Sequence, residues 1–252
     1  MNIFDLSGQR ALITGSTRGI GLALAAGLGR AGAGIVLNGR DSQALDAAKA
    51  RLVGEGIAVS TSRFDVTDPA AVTAAVDEIA QSGAIDILVN NAGMQHRAPL
   101  EDFPAEAWHK LMRTNLDSAF FVGQAVARHM IKQRGGAIIN VGSVQSELGR
   151  PGIAPYAASK GAVKMLTKGM AIDWGKHGIR ANGLSPGYFK TELNAALVAD
   201  AAFSDWLTRR TPLGRWGEVE ELIGAAIFLA SKASSFVTGH MLFIDGGVTS
   251  QL

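Results

Sequence analysis

Cysteine is absent from the 252 residues of the chain. This absence excludes disulfide bridges, cysteine-ligated zinc, iron–sulfur clusters and cysteine nucleophiles. Histidine is also scarce, with five residues, and their spacing matches no metal site, so we expect no bound metal. A chain without cysteine suits a reducing compartment, and we expect it in the cytoplasm.

Long apolar runs and a strong net charge are absent as well. No stretch of about 18 apolar residues occurs, so the sequence predicts no contact with a membrane. The initial segment MNIFDLSGQR shows no signal-peptide pattern. Lys and Arg number 24 against 22 Asp and Glu, and no basic run is present, which argues against nucleic acid as a partner.

Glycine, by contrast, is abundant, with 31 residues, where average usage would give roughly 18. These glycines are mixed with apolar residues, which make up 47% of the chain, so neither collagen nor disorder is indicated. Short apolar runs alternate with helical patterns throughout, which predicts βαβ units around a parallel sheet. We therefore expect one α/β domain over residues 1–252, with a substrate lid at 185–212.

A glycine-rich turn joins the first predicted strand to the first predicted helix. Gly15, Gly19 and Gly21 stand there with the spacing Gly-x3-Gly-x-Gly. Glycines at such positions let the backbone turn tightly and let a pyrophosphate approach the helix N-terminus. The alternative is a turn that binds no ligand. The predicted cofactor-binding residues of this turn are Gly15, Ser16, Thr17, Arg18, Gly19, Ile20 and Gly21.

The end of the second predicted strand indicates which dinucleotide is bound. Enzymes that use NAD usually place an acid there for the ribose 2′-hydroxyl, whereas this strand ends Asn38-Gly39-Arg40. Arg18 and Arg40 together could hold a 2′-phosphate, because guanidinium groups match phosphate geometry. The alternative is that both arginines are solvated, and Asp41 could weaken their field. We predict NADP(H) as the cofactor, bound in part by Asn38 and Arg40.

A tyrosine and a lysine four residues apart form the candidate catalytic pair. Tyr156 and Lys160 occupy one face of a predicted helix. A neighbouring ammonium stabilises phenolate and so lowers the pKa of a tyrosine, which makes it a better acid–base catalyst near neutral pH. A chance pair at this spacing is the alternative. Ser143, after the fifth predicted strand, and Asn115, in the preceding helix, make a catalytic role the stronger interpretation.

Together these motifs resemble the classical short-chain dehydrogenase/reductase family. They follow the family's order over nearly the whole chain: Thr14-Gly-x3-Gly-x-Gly21, Asn90-Asn91-Ala92-Gly93, Ser143, Tyr156-x3-Lys160 and Pro186-Gly187. The resemblance implies a single-domain Rossmann-type fold, a doubly wound parallel sheet of about seven strands with helices on both faces. It also implies a homotetramer.

The resemblance further implies roles for the catalytic residues. Tyr156 would exchange a proton with the substrate oxygen, and Ser143 would hydrogen-bond that oxygen. Lys160 would hold the nicotinamide ribose and lower the pKa of Tyr156. Asn115 would position a water that links Lys160 to solvent. The other implied cofactor contacts are Asp65, Val66, Asn91, Ala92, Gly93, Pro186, Gly187 and Thr191.

Several segments are similar to those of family members that interconvert D-gluconate and 5-keto-D-gluconate. They are residues 91–97, 143–150, 155–165 and 186–192. A sugar acid carries one carboxylate, which Arg97 could pair in bidentate geometry, and several hydroxyls, which Gln145 and Glu147 could bind. The alternatives are a solvated Arg97 and a loop hydrogen-bond network at 145 and 147. His96 is predicted to lie in the loop or at the rim of the site.

Two other functions stay open from the sequence. One is reduction of another carbonyl, such as a 3-oxoacyl carrier-protein thioester or a 2-dehydro-3-deoxygluconate. The other is nucleotide binding without turnover, against which the intact set of Ser143, Tyr156 and Lys160 argues.

Overall fold

The computed structural model describes residues 2–251 of the chain. At its centre lies a seven-stranded sheet in which all the described pairings are parallel. In chain order the strands are β1 (Arg10–Ile13), β2 (Gly34–Gly39), β3 (Val59–Arg63), β4 (Ile87–Asn90), β5 (Gly136–Val141), β6 (Ile179–Pro186) and β7 (Met241–Ile244).

Helices link these strands and cover both faces of the sheet. Asp41 and Asp68 cap two of them, because each carboxylate accepts two backbone N–H groups of the first turn. The helices are α1 (Gly19–Arg30), α2 (Ser42–Gly54), α3 (Pro69–Gln81), α4 (Ala105–Met112), α5 (Ser118–Gln133), α6 (Ala154–Trp174), α7 (Ala195–Ala199), α8 (Ala201–Arg210) and α9 (Ile223–Ala230).

The strand order β3-β2-β1-β4-β5-β6-β7 creates a switch point between β1 and β4. There Leu12 pairs with Leu88, and Ile13 with Val89. Chain segments leaving such a point turn to opposite faces of the sheet, which opens a crevice at the carboxyl ends of the strands, where ligands bind. The predicted Rossmann-type doubly wound fold is therefore confirmed.

Two apolar clusters, one on each face, hold the sheet between the helices. Because successive strand residues point to opposite faces, Ile13 and Val89 pack with α1, α2 and α9, whereas Leu12 and Leu88 pack with α3, α5 and α6. All four side chains are fully buried. Each such burial contributes roughly 1.5–3 kcal/mol to folding, so the strand ends that carry the site rest on a rigid base.

The helical stretch formed by α4 and α5 has an internal break. Between α4 and α5, residues Arg113–Asp117 form a π-helical turn. Such turns often occur at functional sites, and this one contains Asn115, which was predicted to lie in a helix. Apolar periodicity alone does not reveal the break, because the turn keeps the chain helical.

The part of the chain that the structure describes contains neither a membrane-spanning helix nor a cluster of metal ligands. Over residues 2–251 there is no helix both long and apolar enough to cross a bilayer. Within the same range, no group of three or more His, Asp or Glu side chains is arranged to hold a metal ion.

Candidate active site

The loop between β1 and α1 is fastened to the segment that follows β4. The Asn91 side-chain amide donates to the carbonyl oxygens of Thr14 at 3.0 Å and Gly15 at 2.9 Å. In return, the Thr14 hydroxyl accepts the backbone N–H groups of Asn91 and Ala92, each at 3.0 Å. These four hydrogen bonds tie together the two chain segments that border the crevice.

Asn38, predicted to contact the cofactor, is buried and holds the same loop from the β2 side. Its Oδ1 accepts the Gly15 N–H at 3.2 Å, and its Nδ2 donates to the carbonyl oxygens of Ser62 and Phe64. The buried Ser16 hydroxyl accepts the Asn38 N–H at 3.0 Å. Both polar side chains are thus engaged within the protein and shape the loop.

The loop has the form of a pyrophosphate cradle. A Cβ at Gly21 would lie 2.4 Å from the Gly15 carbonyl oxygen and 2.5 Å from Asn91 Nδ2, so only glycine fits there. Arg18, the N-cap residue of α1, makes no side-chain capping bond, and the first turn of the helix carries no acid. Its N–H groups and the positive end of its dipole are therefore open to an anion. The residues present fit a bound dinucleotide.

The two arginines predicted to bind a 2′-phosphate stand at the surface beside this loop. Arg18 lies 3.5 Å from a carboxylate oxygen of Glu192, and Arg40 lies 3.5 Å from one of Asp65. The arginine side chains are 77% and 76% exposed. Ion pairs so exposed contribute little, so either guanidinium can exchange its partner for a phosphate. Val66, next to Asp65, is buried.

Lys160 is buried beneath the predicted site on α6. Its ammonium donates to the Val141 carbonyl oxygen at 2.7 Å and lies 5.8 Å from the ring centroid of Tyr156. Burial lowers the pKa of Lys160 to about 8. The ammonium therefore holds its proton at neutral pH and loses it under mildly alkaline conditions.

Tyr156 neighbours both Lys160 and Ser143. Burial raises the pKa of the Tyr156 phenol, the neighbouring Ser143 hydroxyl opposes that rise, and the Tyr188 phenol adds to it. The expected lowering by Lys160 is not seen in this geometry, because burial dominates and the ammonium is bonded to Val141. The phenol is consequently protonated at neutral pH, which suits a proton donor.

Ser143 and Asn115 are held by short-range hydrogen bonds. Ser143 Oγ accepts the Gln145 N–H at 3.1 Å and so begins the turn that leads away from β5. Asn115 is buried, and its amide forms a pair of bonds with the Met94 backbone at 2.8 and 2.9 Å. It also donates to the Ser159 hydroxyl at 3.1 Å. Asn115 thus joins the loop after β4 to the helix that carries Lys160.

The remaining predicted cofactor residues lie along the same edge of the sheet. A Cβ at Gly93 would be 3.9 Å from Lys160 Nζ, which places this glycine next to the catalytic pair. Gly187 packs against the Asp245 backbone, where a Cβ would come within 2.7 Å of Cα. The others, at or just beyond the ends of β4 and β6, are Asn91, Ala92, Pro186 and Thr191.

Of the three side chains predicted to bind the carboxylate or hydroxyls of a sugar acid, Gln145 and Arg97 neighbour Tyr188. Gln145 is 8% exposed and donates from Nε2 to the Tyr188 hydroxyl at 3.3 Å. The positive charge of Arg97 acts on the same phenol. Glu147 differs, because its carboxylate forms an ion pair with Lys164 on α6 instead of facing this group.

Two side chains near Arg97 were missed by sequence reasoning. Tyr188 follows the end of β6, and Arg150 follows the turn after β5. The Arg150 guanidinium carbon lies 5.0 Å from the ring centroid of Phe203 on α8. Tyr188 and Arg150 both follow strands of the parallel sheet, and this position in the sequence was the signal that could have identified them as site residues. His96 packs edge-on against Phe103, with ring centroids 5.2 Å apart, in the loop as predicted.

Comparison with known proteins establishes the class to which this fold and site belong. A family profile described as enoyl-(acyl carrier protein) reductase matches residues 15–249. Together with the seven-stranded sheet and the ordered motifs, this match shows that the chain belongs to the short-chain dehydrogenase/reductase family.

Individual relatives are similar over the full length. The gluconate 5-dehydrogenase of Gluconobacter oxydans (strain 621H) is 61% identical over 252 residues, covering 100% of this chain and 98% of the relative. The 5-keto-D-gluconate 5-reductase of Escherichia coli (strain K12) is 52% identical over 248 residues, 98% of each chain.

A solved structure agrees with this similarity. The crystal structure of a gluconate 5-dehydrogenase from Burkholderia cenocepacia J2315, in complex with NADP and tartrate, is 63% identical to this chain. It superposes with a TM-score of 0.98 and covers 100% of this chain and 99% of its own.

The tight approach at Gly21 predicts that Gly21→Ala weakens NADPH binding by about tenfold or more, because the new methyl forces the Gly15 carbonyl out of place. Fluorescence titration with NADPH measures the effect. Gly54→Ala on α2, where a Cβ would meet nothing within 4 Å, is the control and should bind as the wild type does. Equal affinities in the two variants would contradict the cradle.

Proposed function

We propose that this protein is an NADP(H)-dependent oxidoreductase that interconverts D-gluconate and 5-keto-D-gluconate. The observation that carries the proposal is the grouping of Ser143, Tyr156 and Lys160 near Arg97 in a chain similar over its whole length to gluconate 5-dehydrogenases. That similarity favours this activity over carrier-protein reduction and over nucleotide binding without turnover.

The cofactor proposal combines the loop geometry with the solved relative. The backbone around Gly15, Gly19 and Gly21 would hold the pyrophosphate, and Arg18 with Arg40 would hold the 2′-phosphate. The presence of NADP in the Burkholderia structure supports this assignment. When bound, NADPH supplies the hydride that reduces the substrate carbonyl.

In the proposed reduction, the protein's own residues manage the proton. Tyr156, kept protonated by its raised pKa, donates its phenolic proton to the oxygen that was the carbonyl. Ser143 donates a hydrogen bond to that oxygen and stabilises its developing negative charge. The Lys160 ammonium beside the ring favours the phenolate that Tyr156 becomes. In the oxidation direction the same groups act in reverse.

We further propose that the part of the predicted segment 185–212 that follows β6 acts as the substrate lid; Ser185 and Pro186 are instead the last residues of that strand. This segment contains Tyr188 and Phe203, whose ring centroids lie 5.8 Å apart, so it packs as a unit through aromatic contacts. Arg18 of the cofactor loop reaches Glu192 in the same segment. Cofactor and substrate would therefore both touch the lid, which supports its role in closing the site.

The proposed activity predicts NADPH oxidation with 5-keto-D-gluconate, followed by absorbance, at a higher kcat/KM than with NADH. Tyr156→Phe should lower kcat by about 10²–10⁴-fold, because the proton donor is lost. That variant should bind NADPH normally, which controls for misfolding. Turnover of an acetoacetyl thioester but of no sugar acid would overturn the substrate assignment, and full activity in Tyr156→Phe would overturn the catalytic one.

The lowered pKa of Lys160 predicts an alkaline limit to reduction. Its ordinary pKa is 10.5 and burial lowers it to about 8, so the positive charge beside Tyr156 is lost as pH rises through that value. We expect kcat/KM for 5-keto-D-gluconate at saturating NADPH to fall above about pH 8. In Lys160→Arg the fall should move to higher pH, since guanidinium stays charged. If kcat/KM fell at the same pH in this variant, Lys160 would not be the group responsible.

We propose that the protein assembles as a homotetramer, in line with the family resemblance. The apolar side chains of Phe120 on α5 and of Met165 and Ile172 on α6 are 41%, 61% and 78% exposed, a large apolar area for helix surfaces in water. Light scattering should give a tetramer for the wild type and smaller species for Ile172→Glu. Val53→Glu on α2, also half-exposed, should stay tetrameric; a monomeric wild type would refute the assembly.

We also propose a cytoplasmic location, because the reaction draws on NADP(H). Cell fractionation with an antibody against the chain tests this, and recovery outside the cytoplasm would refute it.

A further inference from the structure

Two arginines near the catalytic group lack a partner of opposite charge. Arg97 lies in the loop after β4 and Arg150 in the segment between β5 and α6. Over residues 2–251, neither is within ion-pair distance of a carboxylate. They are close enough that Arg150, after burial, contributes to lowering the pKa of Arg97. Two like charges held together in this way favour an anion between or beside them.

Buried polar atoms next to these arginines are also without partners. The Nε of Arg150 and the Oε1 of Gln145 are inaccessible to solvent and have no hydrogen-bond partner among the described residues. Gln145 as a whole is 8% exposed. Buried polar groups are nearly always hydrogen-bonded, and one ligand could supply both the acceptor that Arg150 Nε lacks and the donor that Gln145 Oε1 lacks.

Tyr188 connects this cluster to the catalytic tyrosine. Its hydroxyl accepts the Gln145 amide at 3.3 Å, and the charges of Arg150 and Arg97 both act on it. Tyr188 in turn acts on Tyr156. Tyr188 also packs against Phe203, with ring centroids 5.8 Å apart, and Phe203 carries the Arg150 guanidinium, so the cluster adjoins the site of proton transfer.

The Arg150 guanidinium is oriented by an aromatic ring. Its carbon lies 5.0 Å from the ring centroid of Phe203 on α8, a cation–π distance. Glu147, the nearest acid along the chain, is removed from the cluster by its pair with Lys164. The arginine is thus held in place without being neutralised, which is the condition for binding an incoming carboxylate.

We propose that Arg150 is a substrate-binding residue that, with Arg97, clamps the C1 carboxylate of the sugar acid, while Gln145 Oε1 accepts a hydrogen bond from a hydroxyl of the same molecule. The assignment rests on the proposed function, since it takes the reacting carbonyl to be at Tyr156. A planar guanidinium group binds a carboxylate in bidentate geometry, and two guanidinium groups together fix the orientation of that carboxylate. The carboxylate at one end and C5 near Tyr156 then define which ketone is reduced.

The test compares D-gluconate with D-sorbitol, which has a hydroxymethyl group in place of the carboxylate. Calorimetric titration of each into the NADPH-loaded protein gives binding without turnover, because neither ligand can accept a hydride. We expect Arg150→Gln to weaken D-gluconate binding by about 10–100-fold. Binding of D-sorbitol and of NADPH should be unchanged. Arg150→Lys should recover part of the loss, because the charge returns without the fork.

Kinetics supply a second readout. Arg150→Gln should raise KM for 5-keto-D-gluconate by the same factor and change kcat by less than about threefold, as expected for lost ground-state binding. The matched control is Arg51→Gln on α2, whose side chain is 62% exposed, and it should behave as the wild type does. Equal D-gluconate affinity in wild type and Arg150→Gln, or an equal loss for D-sorbitol, would overturn the clamp.

L-Tartrate separates failure of the clamp from failure of the proposed function. If no sugar acid is turned over but L-tartrate binding still depends on Arg150, the carboxylate clamp stands and the proposed substrate falls. If 5-keto-D-gluconate is reduced and both ligands bind Arg150→Gln as tightly as the wild type, the clamp falls and the activity stands.

Discussion

The hydrogen bonds from Asn91 to the carbonyls of Thr14 and Gly15 are the constraint on which the site depends. They join the segments that leave β1 and β4, the two strands on either side of the switch point. The segments that flank this point turn to opposite faces of the sheet, and these bonds hold them together across it. The Asn91 amide sets the width of the opening and the position of the glycine loop.

The crevice has an excess of positive charge, because over residues 2–251 its carboxylates form ion pairs within the protein while several of its cations do not. Carboxylates near the site are engaged: Glu147 with Lys164, and Asp65 with Arg40 and Thr67. Lys160, Arg97 and Arg150 are left without acidic partners among the described residues. A crevice with this balance concentrates anions, which suits both a phosphorylated cofactor and an acidic substrate.

Sequence patterns predicted the fold well, because apolar runs and capping residues act locally. Asp68 caps the start of α3, and the short apolar run Met241–Ile244 forms the last strand. The strand ends, and with them the site, follow from the alternation of strands and helices. The family resemblance placed Tyr156 and Lys160 at the same edge.

What the sequence did not reveal depends on contacts between distant segments. The roles of Asn38 and Glu147 are decided by a carbonyl of β3 and a lysine of α6, respectively. Arg150 belongs to the segment 143–150, which was noted from the sequence for its similarity to gluconate enzymes. Its proposed role in binding a carboxylate follows only from the fold, which brings Arg97 and Phe203 close to it. The raised pKa of Tyr156 likewise reflects burial, which spacing cannot measure.

The π-helical turn at Arg113–Asp117 makes the length of this stretch as important as its composition. Deleting one residue there would restore a regular helix and turn everything before it by about 100° relative to α5. Asn115 would then lose Met94 and Ser159 together. Homologous chains should therefore accept substitutions across this turn far more readily than a gap, so an alignment that opens one here is misplaced.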